Sequence, residues 1–85
     1  MKEKMLPIGT VVRIRKDLND NSRYYMKNGK VSNVAVGTMI TEGAGKIARI
    51  TRYNPTGTQY ILDVNEQLRE NFYWTDAMFE KVNEE

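Results

Sequence analysis

The chain has 85 residues, enough for one domain and no more. Hydrophobic residues make up 40% and charged residues 28%, the composition of a globular domain rather than of a disordered tail. The absence of Cys excludes disulfides, thiolate nucleophiles, iron–sulfur clusters and cysteine zinc sites. The absence of His removes the usual general base at neutral pH and the commonest transition-metal ligand. A fold of this length buries roughly 60–65% of the surface its unfolded chain exposes, so its core is thin. No enzyme, cofactor or metal is expected.

The segment Met1 to Gly9 carries charges but no apolar run of signal-peptide length. No stretch approaches the ~20 apolar residues needed to span a membrane, so no membrane partner is expected. The one glycosylation-like triplet, Asn54-Pro55-Thr56, has Pro at the forbidden middle position. A cytoplasmic protein is the expectation.

The net charge of +2 hides a division. Residues 1–60 hold eleven basic side chains against four acids, and residues 61–85 hold two against seven. Such asymmetry fits a polarised surface with one positive face, or two halves that neutralise each other once folded.

Short β-branched and aromatic runs are punctuated by Gly, Asn and Pro every 8–12 residues, the pattern of a small all-β domain. The first predicted strand is Thr10 to Arg15, with Val12 and Ile14 inward and Val11, Arg13 and Arg15 outward. Residues 16–33 form a long polar excursion, folding into a small ribbon near the Asn28-Gly29 hairpin signal. A strand is predicted from Asn33 to Ile40, with Val34, Val36 and Ile40 on one face. Glu42 to Gly45 turns the chain. Lys46 to Tyr53 is the next strand, Ala48 and Ile50 inward and Arg49 outward. After the Asn54 to Gly57 turn, Gln59 to Val64 returns with Tyr60, Leu62 and Val64 inward. Phe72 to Trp74 is a short strand, Trp74 being core or half-buried. Thr75 to Phe79 is one helical turn with Thr75 as its N-cap.

About five short strands, one long early excursion and a late helical turn fit a five-stranded SH3-like β-barrel. An OB-type barrel also has about five strands, but the longer helix it usually carries is not visible here. The domain spans residues 8–82, with 1–7 as an N-terminal extension and 83–85 as an acidic tail.

The order Gly9-Thr10-Val11-Val12-Arg13-Ile14-Arg15, Gly45-Lys46-Ile47-Ala48-Arg49-Ile50, Tyr60-x-Leu62-Asp63 and Trp74-Thr75-Asp76-Ala77-Met78-Phe79-Glu80 resembles a set of small phage and prophage proteins of Gram-positive bacteria. The resemblance covers roughly residues 8–80, and the closing Trp74 to Glu80 motif is its most specific part. It implies an SH3-like fold, a mobile-element origin and a bacterial host cell. It carries no catalytic residues. Some phage proteins of this size block host defence nucleases, which extends the resemblance toward an inhibitor role.

Three constellations bear on chemistry. The carboxylate pairs Asp76/Glu80 and Asp63/Glu66 support acid–base or metal chemistry only when buried opposite each other in a cleft, and solvated surface acids are the simpler reading. Glu42-Gly43-Ala44-Gly45-Lys46 fails as a phosphate loop: Ile40 stands where its first Gly should be, and Ile47 where its hydroxyl should be. The third is the interleaving of basic and aromatic residues: Arg23, Tyr24, Tyr25, Arg49, Arg52, Tyr53 and Tyr73. Tyr and Arg are favoured anchors of protein interfaces, and they also stack on bases and bind phosphates.

These residues point to a binding module whose first partner class is a host protein. A nucleic-acid accessory role for the basic face of residues 13–53 is the alternative. The acidic residues 63–85 could also mimic nucleic acid toward a basic host site. A net +2 is low for a nonspecific nucleic-acid binder.

Overall fold

The computed structural model describes residues 5–27, 29–66, 68 and 72–80. Five strands and one helix appear in the order β1 (Val11–Arg13), β2 (Arg23–Tyr25), β3 (Ser32–Val34), α1 (Gly37–Gly43), β4 (Ile47–Tyr53) and β5 (Tyr60–Leu62). A 3-10 turn follows at Asp76–Met78. The strands form two antiparallel sheets, a three-stranded one ordered β1-β4-β5 and a two-stranded ribbon of β2 and β3.

The three-stranded sheet follows from alternation. Val12, Ala48 and Ile50 point into the core, while Val11, Arg13, Ile47 and Arg49 point out. Ile14, fully buried, continues β1 beyond its last ladder residue. A tight turn leads in: Gly9 takes a φ of 98°, a left-handed conformation that Gly adopts without Cβ strain. The Thr10 amide and hydroxyl both donate to the Pro7 carbonyl, at 3.1 and 2.7 Å.

The segment 74–80 joins both edges of this sheet. Trp74 and Tyr60 exchange reciprocal backbone bonds of 2.9 Å on the β5 side. On the β1 side, the Arg15 amide donates to the Met78 carbonyl at 2.9 Å and the Glu80 amide to the Arg13 carbonyl at 2.8 Å. The 3-10 turn carries the chain from one edge to the other. Each junction is a single bridge, so among the described residues the sheet does not close into a continuous barrel. The predicted Phe72 to Trp74 strand reduces to the bridge at Trp74.

The largest departure from the sequence reading lies between residues 33 and 43. The predicted strand Asn33 to Ile40 is instead the short β3 followed by α1. Met39 and Gly43, four apart, form the buried stripe of the helix. Ala35 is fully buried, and Val34, Val36 and Ile40, expected on one face of a strand, are split between β3, the N-cap position and α1, with Val36 exposed. Gly43 matters because it has no side chain: a Cβ there would lie 2.9 Å from the Trp74 ring and 3.4 Å from Ile14. Trp74 is fully buried in the core with Ile14, Ile50, Tyr60, Leu62 and Leu68. Ile61 is buried as well, although alternation from Tyr60 and Leu62 would face it outward.

The ribbon of the long excursion is present, with Met26 and Val31 paired across its turn by a 2.7 Å backbone bond. Asn28, half of the hairpin signal, lies outside the described residues. So do residues 1–4 of the predicted extension and the acidic tail 83–85. Thr75 stands at the N-cap position of the 3-10 turn, but its hydroxyl makes no capping bond and is buried without a partner.

Candidate functional site

The seven sequence-selected residues fall into two groups. Arg23, Tyr24, Tyr25 and Tyr73 gather around the ribbon, and Arg49, Arg52 and Tyr53 lie along β4.

In β2 the period of two separates neighbours that sit side by side in the sequence. Arg23 and Tyr25 face outward, Tyr25 at 48% exposure. Tyr24 between them is buried, and its hydroxyl accepts a 2.9 Å bond from the Asn19 amide. The Arg15 guanidinium lies 5.8 Å from the Tyr24 ring centroid, within cation–π range. Tyr24 therefore anchors the ribbon to the core and presents no ring to a partner. Arg23 reaches across the ribbon, its guanidinium donating to Ser32 Oγ at 2.9 Å. Tyr73 is half-buried, its backbone carbonyl accepting from Asn33 Nδ2 of β3 at 2.8 Å.

Two more polar contacts dock the ribbon. The Lys27 amide donates to Asp76 Oδ2 at 2.8 Å, and Gln59 Nε2 donates to the Ser32 carbonyl at 3.0 Å. Asp76 also accepts from the Tyr60 hydroxyl at 2.8 Å, while that hydroxyl accepts from the Leu6 amide at 3.0 Å. Tyr60 is thus a hub between the N-terminal segment, the core and the 3-10 turn. Burial raises its hydroxyl pKa well above the ordinary value, and the Asp76 carboxylate adds to the rise.

In β4, residues 49 and 52 are three apart, a spacing that puts two side chains on opposite faces of a regular strand. A bulge changes this. Ile50 pairs with Leu62 and Arg52 with Ile61, leaving Thr51 without a ladder partner. Thr51 and Arg52 both face outward, on the side of Ile47 and Arg49. The bulge also turns Tyr53 toward the core, where its hydroxyl donates to the Leu6 carbonyl at 2.9 Å and its ring lies 6.1 Å from Tyr60.

The outer surface of β1 and β4 consequently holds Arg13, Arg49 and Arg52 together with two aliphatic side chains. Val11 is 50% exposed and sits opposite Arg49; Ile47 is 58% exposed and sits opposite Arg13. In the sequence Arg13 belongs to the basic face of residues 13–53, while Val11 is outward but joined to no site and Ile47 is not singled out. The available signal was the alternation itself, which puts a β-branched residue at an outward position on each strand. At the margin, Glu80 lies 3.7 Å from Arg13, and Asp63 accepts a 2.8 Å bond from the Arg49 backbone amide.

An open depression near the β1 edge is lined by Arg15, Lys16, Asp17, Phe79 and Glu80. Arg15 bonds both Asp17 oxygens, at 2.9 and 3.0 Å, and holds that carboxyl below its ordinary pKa. Its charge is met locally. Asp76 serves as the structural acceptor just described, and Asp63 holds the Arg49 amide. Among the described residues no cluster of acidic side chains could hold a metal ion, and no helix is long and apolar enough to cross a membrane.

No family model, curated protein or solved structure matches this chain.

Proposed function

We propose that the protein is a non-catalytic binding module that acts by protein–protein interaction. In its fullest form the proposal is an SH3-like barrel of phage or prophage origin that modulates or inhibits a protein of the bacterial host, a defence nuclease being one candidate. The strand order β1-β4-β5, with residues 74–80 running from the β5 edge to the β1 edge, supports the SH3-like reading. The lack of His and Cys supports a binding role over a catalytic one.

One observation carries the protein-binding reading. The bulge at Thr51 sets Arg49 and Arg52 on the same outward surface as exposed aliphatic residues, on a sheet bridged at both edges. Arginine beside apolar surface on a rigid frame is what a protein interface uses. A second reading, nucleic-acid binding, draws on the ribbon. Residues 21–41 contain Arg23, Lys27 and Lys30 and no acid, and Tyr25 is exposed beside Arg23.

The test is fluorescence anisotropy with single-stranded DNA, duplex DNA and RNA from low to physiological salt, followed by capture from host lysate. The proposal predicts weak, nonselective binding that vanishes at physiological salt. It also predicts a stoichiometric protein complex that survives moderate salt and is lost in Arg49→Ala/Arg52→Ala. Arg49 is exposed, so Arg49→Ala alone should keep wild-type stability to within about 0.5 kcal/mol, and its share of the lost binding is read against that unchanged fold. Nucleic-acid binding that persists at physiological salt would overturn the proposal.

A further inference from the structure

On the protein-binding reading, we infer that the outer surface of β1 and β4 docks an extended segment of the partner whose exposed side chains alternate between carboxylate and aliphatic. The inference rests on the pattern of the surface. Over the stretch where they pair, each strand presents one aliphatic and one cationic side chain outward, Val11 then Arg13 on β1 and Ile47 then Arg49 on β4. The antiparallel register places Val11 across from Arg49 and Arg13 across from Ile47, so like groups lie on diagonals. Outward positions on one strand recur every ~6.8 Å, and paired strands lie ~4.8 Å apart. An extended segment has the same ~6.8 Å repeat on its own face. A carboxylate and an aliphatic group at successive positions of that face therefore meet an arginine and a Val or Ile in register.

Charge selects the occupant. Arg13, Arg49 and Arg52 share the surface, with Glu80 and Asp63 at its margin. A second copy laid face to face would bring guanidinium groups against one another, which like-charge repulsion disfavours. Nucleic acid is a poor occupant of this surface. Val11 and Ile47 stand at two outward positions where a phosphate-binding surface needs donors, and Tyr53, the aromatic residue of β4, is turned toward the core. A segment with both carboxylates and aliphatic groups offers Arg13 and Arg49 charge-assisted hydrogen bonds and covers the exposed apolar area of Val11 and Ile47. Arg13 is then drawn from its long contact with Glu80 to a better-placed carboxylate.

The experiment is amide-resolved NMR titration of the full chain with a cyclised β-hairpin peptide that displays Glu and Val alternately on one face. Controls are the same hairpin with Lys in place of Glu, and a short duplex DNA. Saturable shifts centred on Val11, Arg13, Ile47 and Arg49 are expected, with no response to the Lys hairpin. Arg13→Ala/Arg49→Ala should raise the Kd by roughly tenfold or more, and Ile47→Ser should raise it severalfold. The loss on Ile47→Ser separates docking from general charge attraction. Shifts centred on Arg23 to Tyr25 and Ser32 to Val34 would overturn this placement and leave the protein-binding reading standing. No response to the Glu hairpin would overturn the inference alone. A stronger response to duplex DNA at physiological salt, mapped to Arg49 and Arg52, would overturn the protein-binding reading itself.

Discussion

The two sheets are held in place by different physics. The sheet of β1, β4 and β5 is built from residues far apart in the chain and is joined at both edges by the segment 74–80, whose Trp74, Met78 and Phe79 are buried in the core. The ribbon pairs strands three residues long, contributes Tyr24 and Met26 to the core, and otherwise rests on polar contacts through Asp76, Tyr73 and Gln59. Apolar burial across the whole fold stabilises the first, whereas the ribbon relies on two buried side chains, Tyr24 and Met26, supplemented by single hydrogen bonds of modest net value. A binding surface keeps its geometry best on the first kind of support. The outward arginines of β1 and β4 have it.

The strongest way to break this contrast is to remove the residue that ties the segment 74–80 to the core. Trp74→Ala should cost about 3–5 kcal/mol, which for a domain this small approaches its whole stability. Chemical denaturation should show loss of the cooperative transition or a large drop in its midpoint. A midpoint close to wild type would mean that the Trp74 side chain does not fasten the sheet edges to the core.

Tyr60→Phe sharpens the contrast, because it keeps the ring in the core and deletes the hydroxyl between Leu6 and Asp76. The expected cost is roughly 1.5–3 kcal/mol, since one of the lost bonds is to a carboxylate and the Leu6 amide is left without its acceptor. The hydroxyl also makes stability depend on alkaline pH. Its pKa is raised in the folded state, so above about pH 10 the unfolded chain loses this proton first. Its stabilising contribution is complete below that pH and is lost as pH climbs toward the folded-state value. Urea midpoints should fall between pH 9 and pH 11.5 more steeply in the wild type than in Tyr60→Phe. Parallel slopes would show that Tyr60 is not held protonated by the fold.

Gly43→Ala gives the smallest of these effects. The added Cβ meets the Trp74 ring at 2.9 Å, a crowding cost of about 1–3 kcal/mol. Alanine's better helix propensity offsets roughly 1 kcal/mol of it. A net loss of about 1 kcal/mol is expected in denaturant unfolding, and a net gain would mean that Trp74 shifts away without cost.

The same contrast explains what could be read from the residues. β1, β4 and β5 were legible because Val12 and Ile14, Ala48 and Ile50, and Tyr60 and Leu62 alternate with outward residues, a local signal set by the pleat. Helix α1 was not. Val34 and Val36 have strand spacing and β-branched side chains, and the helical stripe of Met39 and Gly43 ends on a residue with no side chain to announce it. Gly43 is small because Trp74, 31 positions later in the chain, fills the space, and no local pattern encodes that partner. Residue type alone singles out Arg49 and Arg52, yet they share a surface only because of the bulge at Thr51. Tyr24 and Tyr25 are neighbours in the sequence, while strand alternation buries one and exposes the other.

Native-state hydrogen exchange, read amide by amide, tests most directly whether the arginine-bearing surface sits on the rigid part of the molecule. The account predicts that the amides of Ile14, Arg15, Ile50, Tyr60 and Trp74 exchange together and slowest, through global unfolding. Those of Tyr24, Met26 and Ala35 should exchange faster, through an opening of the ribbon that leaves the sheet intact. If the ribbon amides were as protected as those of the sheet, or the Tyr60 and Trp74 amides exchanged first, the sheet would not be the rigid support and the account would be contradicted.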